Sequence, residues 1–187
     1  MDVLEKLTPE QRTLIVSLPY RAGLWVSESD QDGGDEAQEK EMTALANITE
    51  GFAEQVFGSE LLQYIMDETV KGKAQWQGSW AENLDKVPEE CTQALNILRE
   101  HVDEKEVNAF STRLMEIGEA VAVAFREGEG PSGLKKFMVY MKYSYAAYKA
   151  RVAEQAPKSF DQYLNVSMSE RKALNALAAA LGTQYYM

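Results

Sequence analysis

VNAFSTRLMEIGEAVAVAF, residues 107–125, decides the fold class. Val107, Phe110, Leu114, Ile117, Val121 and Phe125 recur at steps of three and four, the spacing that lines side chains along one face of an α-helix. Polar or small residues fill the gaps, so a single apolar stripe must be covered by other elements. Asp103 stands just ahead of the segment as an N-cap. Behind it, Glu127-Gly128-Glu129-Gly130-Pro131-Ser132-Gly133 cannot continue a helix and predicts a loop. The segment is therefore a core helix with a legible start and stop.

The same signals recur on both sides. Thr8-Pro9-Glu10-Gln11 combines an N-cap, a proline at the first helical position and a capping-box glutamine, which predicts a helix to about Val26 with a kink near Ile15 to Pro19. Met42, Leu45, Ile48, Phe52 and Val56 predict a second helix from about Asp35 to Phe57. Ser59 caps a third, short helix expected to stop at Val70 before Gly72, and Trp76 and Trp80, at i and i+4, suggest another short helix after it. Further helices are expected from Pro88 to Val102, from Leu134 to Gln155 with Tyr140, Tyr143, Tyr145 and Tyr148, and from the capping box Ser167-Met168-Ser169-Glu170 to Leu181. No segment alternates with period two. The expected fold is all-α, a single-domain compact bundle over residues 1–187 with about seven to eight helices.

Composition limits the functional classes. The 187 residues carry a net charge of −11, divided as four Lys/Arg against thirteen Asp/Glu in residues 1–60, seven against fourteen in 61–130 and eight against three in 131–187. An acidic body repels phosphate backbones, so nucleic acid is not expected as a partner. No apolar run of about 18 residues is present, and membrane insertion is not expected. MDVLEKLTPEQ has acidic residues where a secretory signal needs a basic region, and Cys91 has no second cysteine to pair with, so a cytoplasmic location is expected.

Catalytic chemistry has few candidates. A structural zinc site is usually built from four Cys or His ligands, and the chain has one of each. His101, the one base for a serine or cysteine nucleophile, sits in ILREHVDEKE at an expected helix end, where imidazolium complements the helix dipole. The di-iron pattern Glu-x-x-His fails because Leu98 precedes His101 by three. No phosphate-binding glycine loop occurs, since the proline in GEGPSG removes a needed amide donor. No catalytic residue is assigned and no enzyme activity is expected.

One connection carries a functional signal. SESDQDGGDEAQEKE, residues 27–41, joins the first two long helices with a dense run of carboxylates and two adjacent glycines. Placing Gly33 at the turn position of a calcium loop puts Glu28, Asp30 and Asp32 at positions 1, 3 and 5, the Gly34 carbonyl at 7, Glu36 at 9 and Glu39 at 12. Asp35 is an alternative ligand. The arrangement resembles an EF-hand loop, and it departs from one in having Glu rather than Asp at position 1 and Asp35 at a normally apolar position 8. The other reading is a solvated acidic connection whose Asp35 or Glu36 complements a helix N-terminus. Ca2+ or another divalent cation is the only cofactor in view.

LIVSLPYRAGLWVSESDQDGGDEAQEKEMTAL, residues 14–45, orders an apolar helix, an Asp-Gly loop and an acid-led second helix, and it resembles the TerB-like tellurite-resistance family of small acidic helical cytosolic proteins. RLMEIGEAVAVAFREGEGPSGLKKFMVYM, residues 113–141, repeats that order with fewer acids, as a degenerate internal duplication would. The resemblance implies that Asp30, Asp32, Asp35, Glu36 and Glu39 contact a metal or dock a partner, in a stress-response or sensing role without catalysis. Two classes therefore stand: a divalent-cation-binding protein, or a helical module for protein partners or self-association that uses the acidic surface, the tyrosine-rich basic helix and an exposed Trp76/Trp80 pair.

Overall fold

The computed structural model describes residues 2–29, 35–55, 58–124 and 168–183, and all of its regular structure is helical. The helices are α1 (Asp2–Lys6), α2 (Pro9–Glu28), α3 (Asp35–Ala53), α4 (Glu60–Trp80), α5 (Val87–Arg99), α6 (Glu104–Ala124) and α7 (Met168–Leu181), with a 3-10 turn at Leu84–Lys86. The expected loop over 127–133, the helix over 134–155 and the second half of the duplication lie outside the described residues.

Helix α2 is the hub. Its start follows from the capping box: the Gln11 amide donates to the Thr8 hydroxyl at 3.3 Å, and the Thr8 amide donates to the Gln11 side chain at 3.0 Å. From Ile15 to Leu24 every residue is buried, so the usual division into an apolar and a polar face disappears. A helix of this kind must be surrounded. Helices α3, α4, α5, α6 and α7 all pack against it. At Gly23 an added Cβ would collide with Leu45 Cδ1 and approach Ile117 Cγ2 to 3.1 Å, so the absence of a side chain there is what lets α2 meet α3 and α6 closely.

Pro19 lies within α2, which continues through it. Proline removes one backbone hydrogen bond from the preceding turn. The carbonyl freed is that of Ile15, and one residue on the Thr69 hydroxyl of α4 meets the Val16 carbonyl at 2.6 Å, a cross-helix bond that ties α4 to α2.

Helix α6 buries the stripe that opened the sequence reading, with Phe110, Leu114, Ile117 and Val121 all at 0 % exposure. Asp103 caps it by accepting from the Glu106 amide at 3.0 Å. Helix α7 closes the bundle against α5 and α6. Gly182 ends it with φ +64, a left-handed conformation that glycine adopts without a steric cost, and the Thr183 amide returns to the Ala178 carbonyl at 3.0 Å.

Several helices differ from expectation: α1 is not foreseen, and α5 ends at Arg99 rather than Val102. Helix α3 ends at Ala53 rather than Phe57. Helix α4 does not stop before Gly72 but runs unbroken from Glu60 to Trp80, absorbing the separate short helix predicted around Trp76 and Trp80. A mid-helix glycine costs only about 1 kcal/mol relative to alanine, and tertiary contacts at the far end outweigh it. Those contacts are the Trp80 ring, 5.9 Å from that of Tyr20 between centroids, and the Trp80 carbonyl, which accepts from Arg21 at 2.8 Å.

Candidate functional site

The acidic connection joins two helices that pack on each other. Glu28 is the last residue of α2 and is exposed, and Asp35 is the first residue of α3. Glu36 and Glu39 follow in the opening turns of α3, where the structure describes their backbone. Asp30, Asp32 and Gly34 lie outside the described residues. Helical geometry thus brings Glu28, Asp35, Glu36 and Glu39 to two adjoining helix ends, with a short span of chain between them. Asp35 and Glu36 are the first two residues of α3, where its dipole favours negative charge, so the solvated-connection reading has its own physical support. Among the described residues no group of three or more His, Cys, Asp or Glu side chains is arranged to hold a metal ion.

The tryptophan pair requires a correction. Trp80 is 5 % exposed and belongs to the core, so it is not part of an exposed Trp76/Trp80 docking surface. Burial follows from the length of α4, whose last turn is drawn onto α2 by Tyr20 and Arg21. The Arg21 guanidinium is buried and uses every donor: Nε and Nη2 reach Glu90 Oε2 at 3.2 and 2.7 Å, Nη1 reaches the carbonyls of Trp80 and Glu82 at 2.8 and 2.9 Å, and Nη2 also meets the Asn83 carbonyl at 3.4 Å. This cation fastens the turn between α4 and α5 and offers nothing to a ligand.

Nucleophilic chemistry gains no site. Burial, reinforced by the Glu90 charge and opposed by Arg21, pushes the Cys91 thiol up to about 12, so the thiolate required for attack is not formed near neutrality. His101 is exposed just past the end of α5, and its amide donates to the Leu98 carbonyl at 2.9 Å. Cys91 lies in the first half of α5 and His101 beyond its last residue, and no serine or cysteine is paired with His101 by any hydrogen bond among the described residues.

A second concavity was not foreseen. Arg12, Thr13 and Val16 of α2 and Glu68, Lys71, Gly72, Gln75 and Trp80 of α4 line a cleft of ≈ 420 Å³. Glu68 takes two cations there, Arg12 at 2.7 Å and Lys71 at 3.2 Å. Arg12 also lies 5.9 Å above the Tyr64 ring and donates to its hydroxyl at 3.1 Å. No sequence signal links residues 12 and 68, because a contact between two separate helices has no period in the sequence, and the far wall of the cleft, Gln75 and Trp80, depends on α4 continuing past Gly72.

No helix among the described residues is long and apolar enough to cross a membrane. Comparison of the chain with known protein families, with curated proteins and with solved structures gives no match.

Proposed function

We propose that this is a non-enzymatic cytoplasmic protein that takes a divalent cation, Ca2+ first among them, at the acidic helix-loop-helix between α2 and α3. The observation that supports the reading most is the position of the helix boundaries: Glu28 closes α2, Asp35 opens α3, and Glu36 and Glu39 occupy the first turns of α3. Ligands spaced as Glu28, Asp30, Asp32, the Gly34 carbonyl, Glu36 and Glu39 would then span the end of α2 and the start of α3, two helices that pack on each other, and supply the six oxygens that Ca2+ needs at the least. Ca2+ suits the set better than Mg2+, because its coordination is looser and tolerates a loop of many carboxylates. Cation capture would neutralise crowded negative charge and fix the geometry between α2 and α3. That coupling of ion to helix geometry fits the sensing or stress-response role that the family resemblance implies.

Isothermal titration of the full chain with Ca2+, Mg2+ and Mn2+ tests the proposal. The expected result is micromolar Ca2+ binding that Asp32→Asn removes. Heats indistinguishable from dilution for all three ions would leave the connection as a solvated linker.

A further inference from the structure

We propose that the cleft between α2 and α4 is a binding site for a small organic carboxylate with an apolar body. The charges on its walls do not balance. Arg12 and Lys71 share the single carboxylate of Glu68, so this cleft carries one surplus positive charge in a chain whose net charge is −11. Arg12 directs Nη2 to both Tyr64 and Glu68, and among the described residues its Nε and Nη1 donate to nothing. Lys71 makes one contact with its ammonium group and is 70 % exposed, which leaves donors for an incoming anion. Single N–H donors of a guanidinium beside a neighbouring ammonium match a carboxylate in charge and in hydrogen-bonding capacity.

The rest of the lining selects the body of the ligand. Val16 and Trp80, both almost fully buried, line the inner side of the cleft and make it apolar, and Gly72 adds no side chain to the wall formed by α4. The volume of ≈ 420 Å³ falls within the range of roughly 300–1,000 Å³ typical of small-molecule sites. Inorganic phosphate would satisfy the cations and leave the apolar floor wet. An organic cation would meet two like charges. A monocarboxylate with an aromatic or aliphatic tail satisfies both parts, and it does so at a distance from the acidic connection, so the two proposals stand independently.

Calorimetric titration of the full chain with 4-phenylbutyrate, 4-phenylbutylammonium and inorganic phosphate tests the site. The carboxylate is expected to bind and the other two probes are not. Arg12→Gln and Lys71→Gln should each weaken 4-phenylbutyrate binding roughly tenfold or more, the effect of losing a charge-assisted hydrogen bond. Glu68→Gln should tighten it, since both cations then lose their competing partner. Lys71 is exposed enough for its substitution to leave the fold intact, and Glu68→Gln breaks the same interhelical clamp as Arg12→Gln while changing affinity in the opposite direction. Equal binding of the ammonium probe, phosphate binding as strong as that of the carboxylate, weakening by Glu68→Gln, or no carboxylate binding at about 1 mM would each overturn the proposal.

Discussion

Arg21 and Glu90 form a pair in which Nη2 and Nε stand 2.7 and 3.2 Å from Oε2, while the remaining guanidinium hydrogens hold the backbone carbonyls of Trp80, Glu82 and Asn83. One side chain from α2 therefore organises the whole turn from α4 into α5. Replacing Arg21 by Met would strand three carbonyls and a carboxylate that is only partly solvated, and the expected loss is about 3 kcal/mol in urea unfolding. Arg21→Lys should recover less than half of it, because a single ammonium cannot reach four acceptors in a fixed plane. A loss within about 0.5 kcal/mol for Arg21→Met would show that the turn is held by packing alone.

The elements legible in the sequence are those whose causes are local. The Thr8 capping box, the Asp103 cap, the α6 stripe and the Gly182 stop each depend on residues within a turn or two of one another, and each is found where the spacing puts it. The start of α3 at Asp35 was legible in the same way, while α2 runs two residues past the expected Val26 to Glu28. Helix α4 was not, because Gly72 is a local stop signal and the forces that override it come from Tyr20 and Arg21, about sixty residues away in sequence. The burial of Trp80 was illegible for that reason, and the meeting of Arg12 with Glu68 because it joins two helices far apart in sequence. A contact across two helices has no sequence period of its own.

Core substitutions should separate two kinds of packing. Leu114 and Ile117 are completely buried on α6, so replacing either by Ala should cost about 2 to 5 kcal/mol through lost contacts and the cavity left behind. Gly23→Ala adds a methyl instead. Alanine gains up to about 1 kcal/mol in helix propensity, but at this site its Cβ is confronted by Leu45, Ile117 and Val121, all fully buried, and overpacking costs roughly 1 to 3 kcal/mol. Net destabilisation is expected in chemical denaturation. A more stable Gly23→Ala variant would mean that Leu45 has room to rotate away.

Cys91 makes an alkaline prediction with a defined sign. Its thiol is raised to about 12 in the folded chain, whereas an unfolded cysteine titrates near 8.5. Below that lower value both states keep the proton and stability does not depend on this group. Above it the unfolded state releases its proton and the folded state does not, so stability falls as pH rises toward the folded value, by at most about 1.4 kcal/mol per pH unit. Tyr20, raised by burial, adds a loss of the same sign at still higher pH. Urea unfolding of Cys91→Ala should show a flatter pH dependence just above pH 8.5 than the parent chain. Ellman's reagent should label the native thiol only as fast as the protein opens, and rapid labelling at neutral pH would contradict its burial.

The acidic connection makes the most demanding prediction. Glu28, Asp30, Asp32, Asp35, Glu36 and Glu39 crowd like charge into a short span that has to bring two packed helix ends together, and a coordinated divalent ion relieves that repulsion. An ion that binds the folded chain alone stabilises it by RT ln(1 + [L]/Kd), about 2.7 kcal/mol at a hundredfold excess over Kd. For a protein of this size the melting temperature should rise by several degrees, at roughly 2 to 4 °C per kcal/mol. NaCl at equal ionic strength should do far less, because it screens charge without coordinating it. Asp32→Asn should abolish the difference between the salts, and a chelator should reverse the calcium shift in the parent chain. If CaCl2 and NaCl raise the melting temperature equally and the chelator changes nothing, the carboxylates serve only solvation and the dipole of α3.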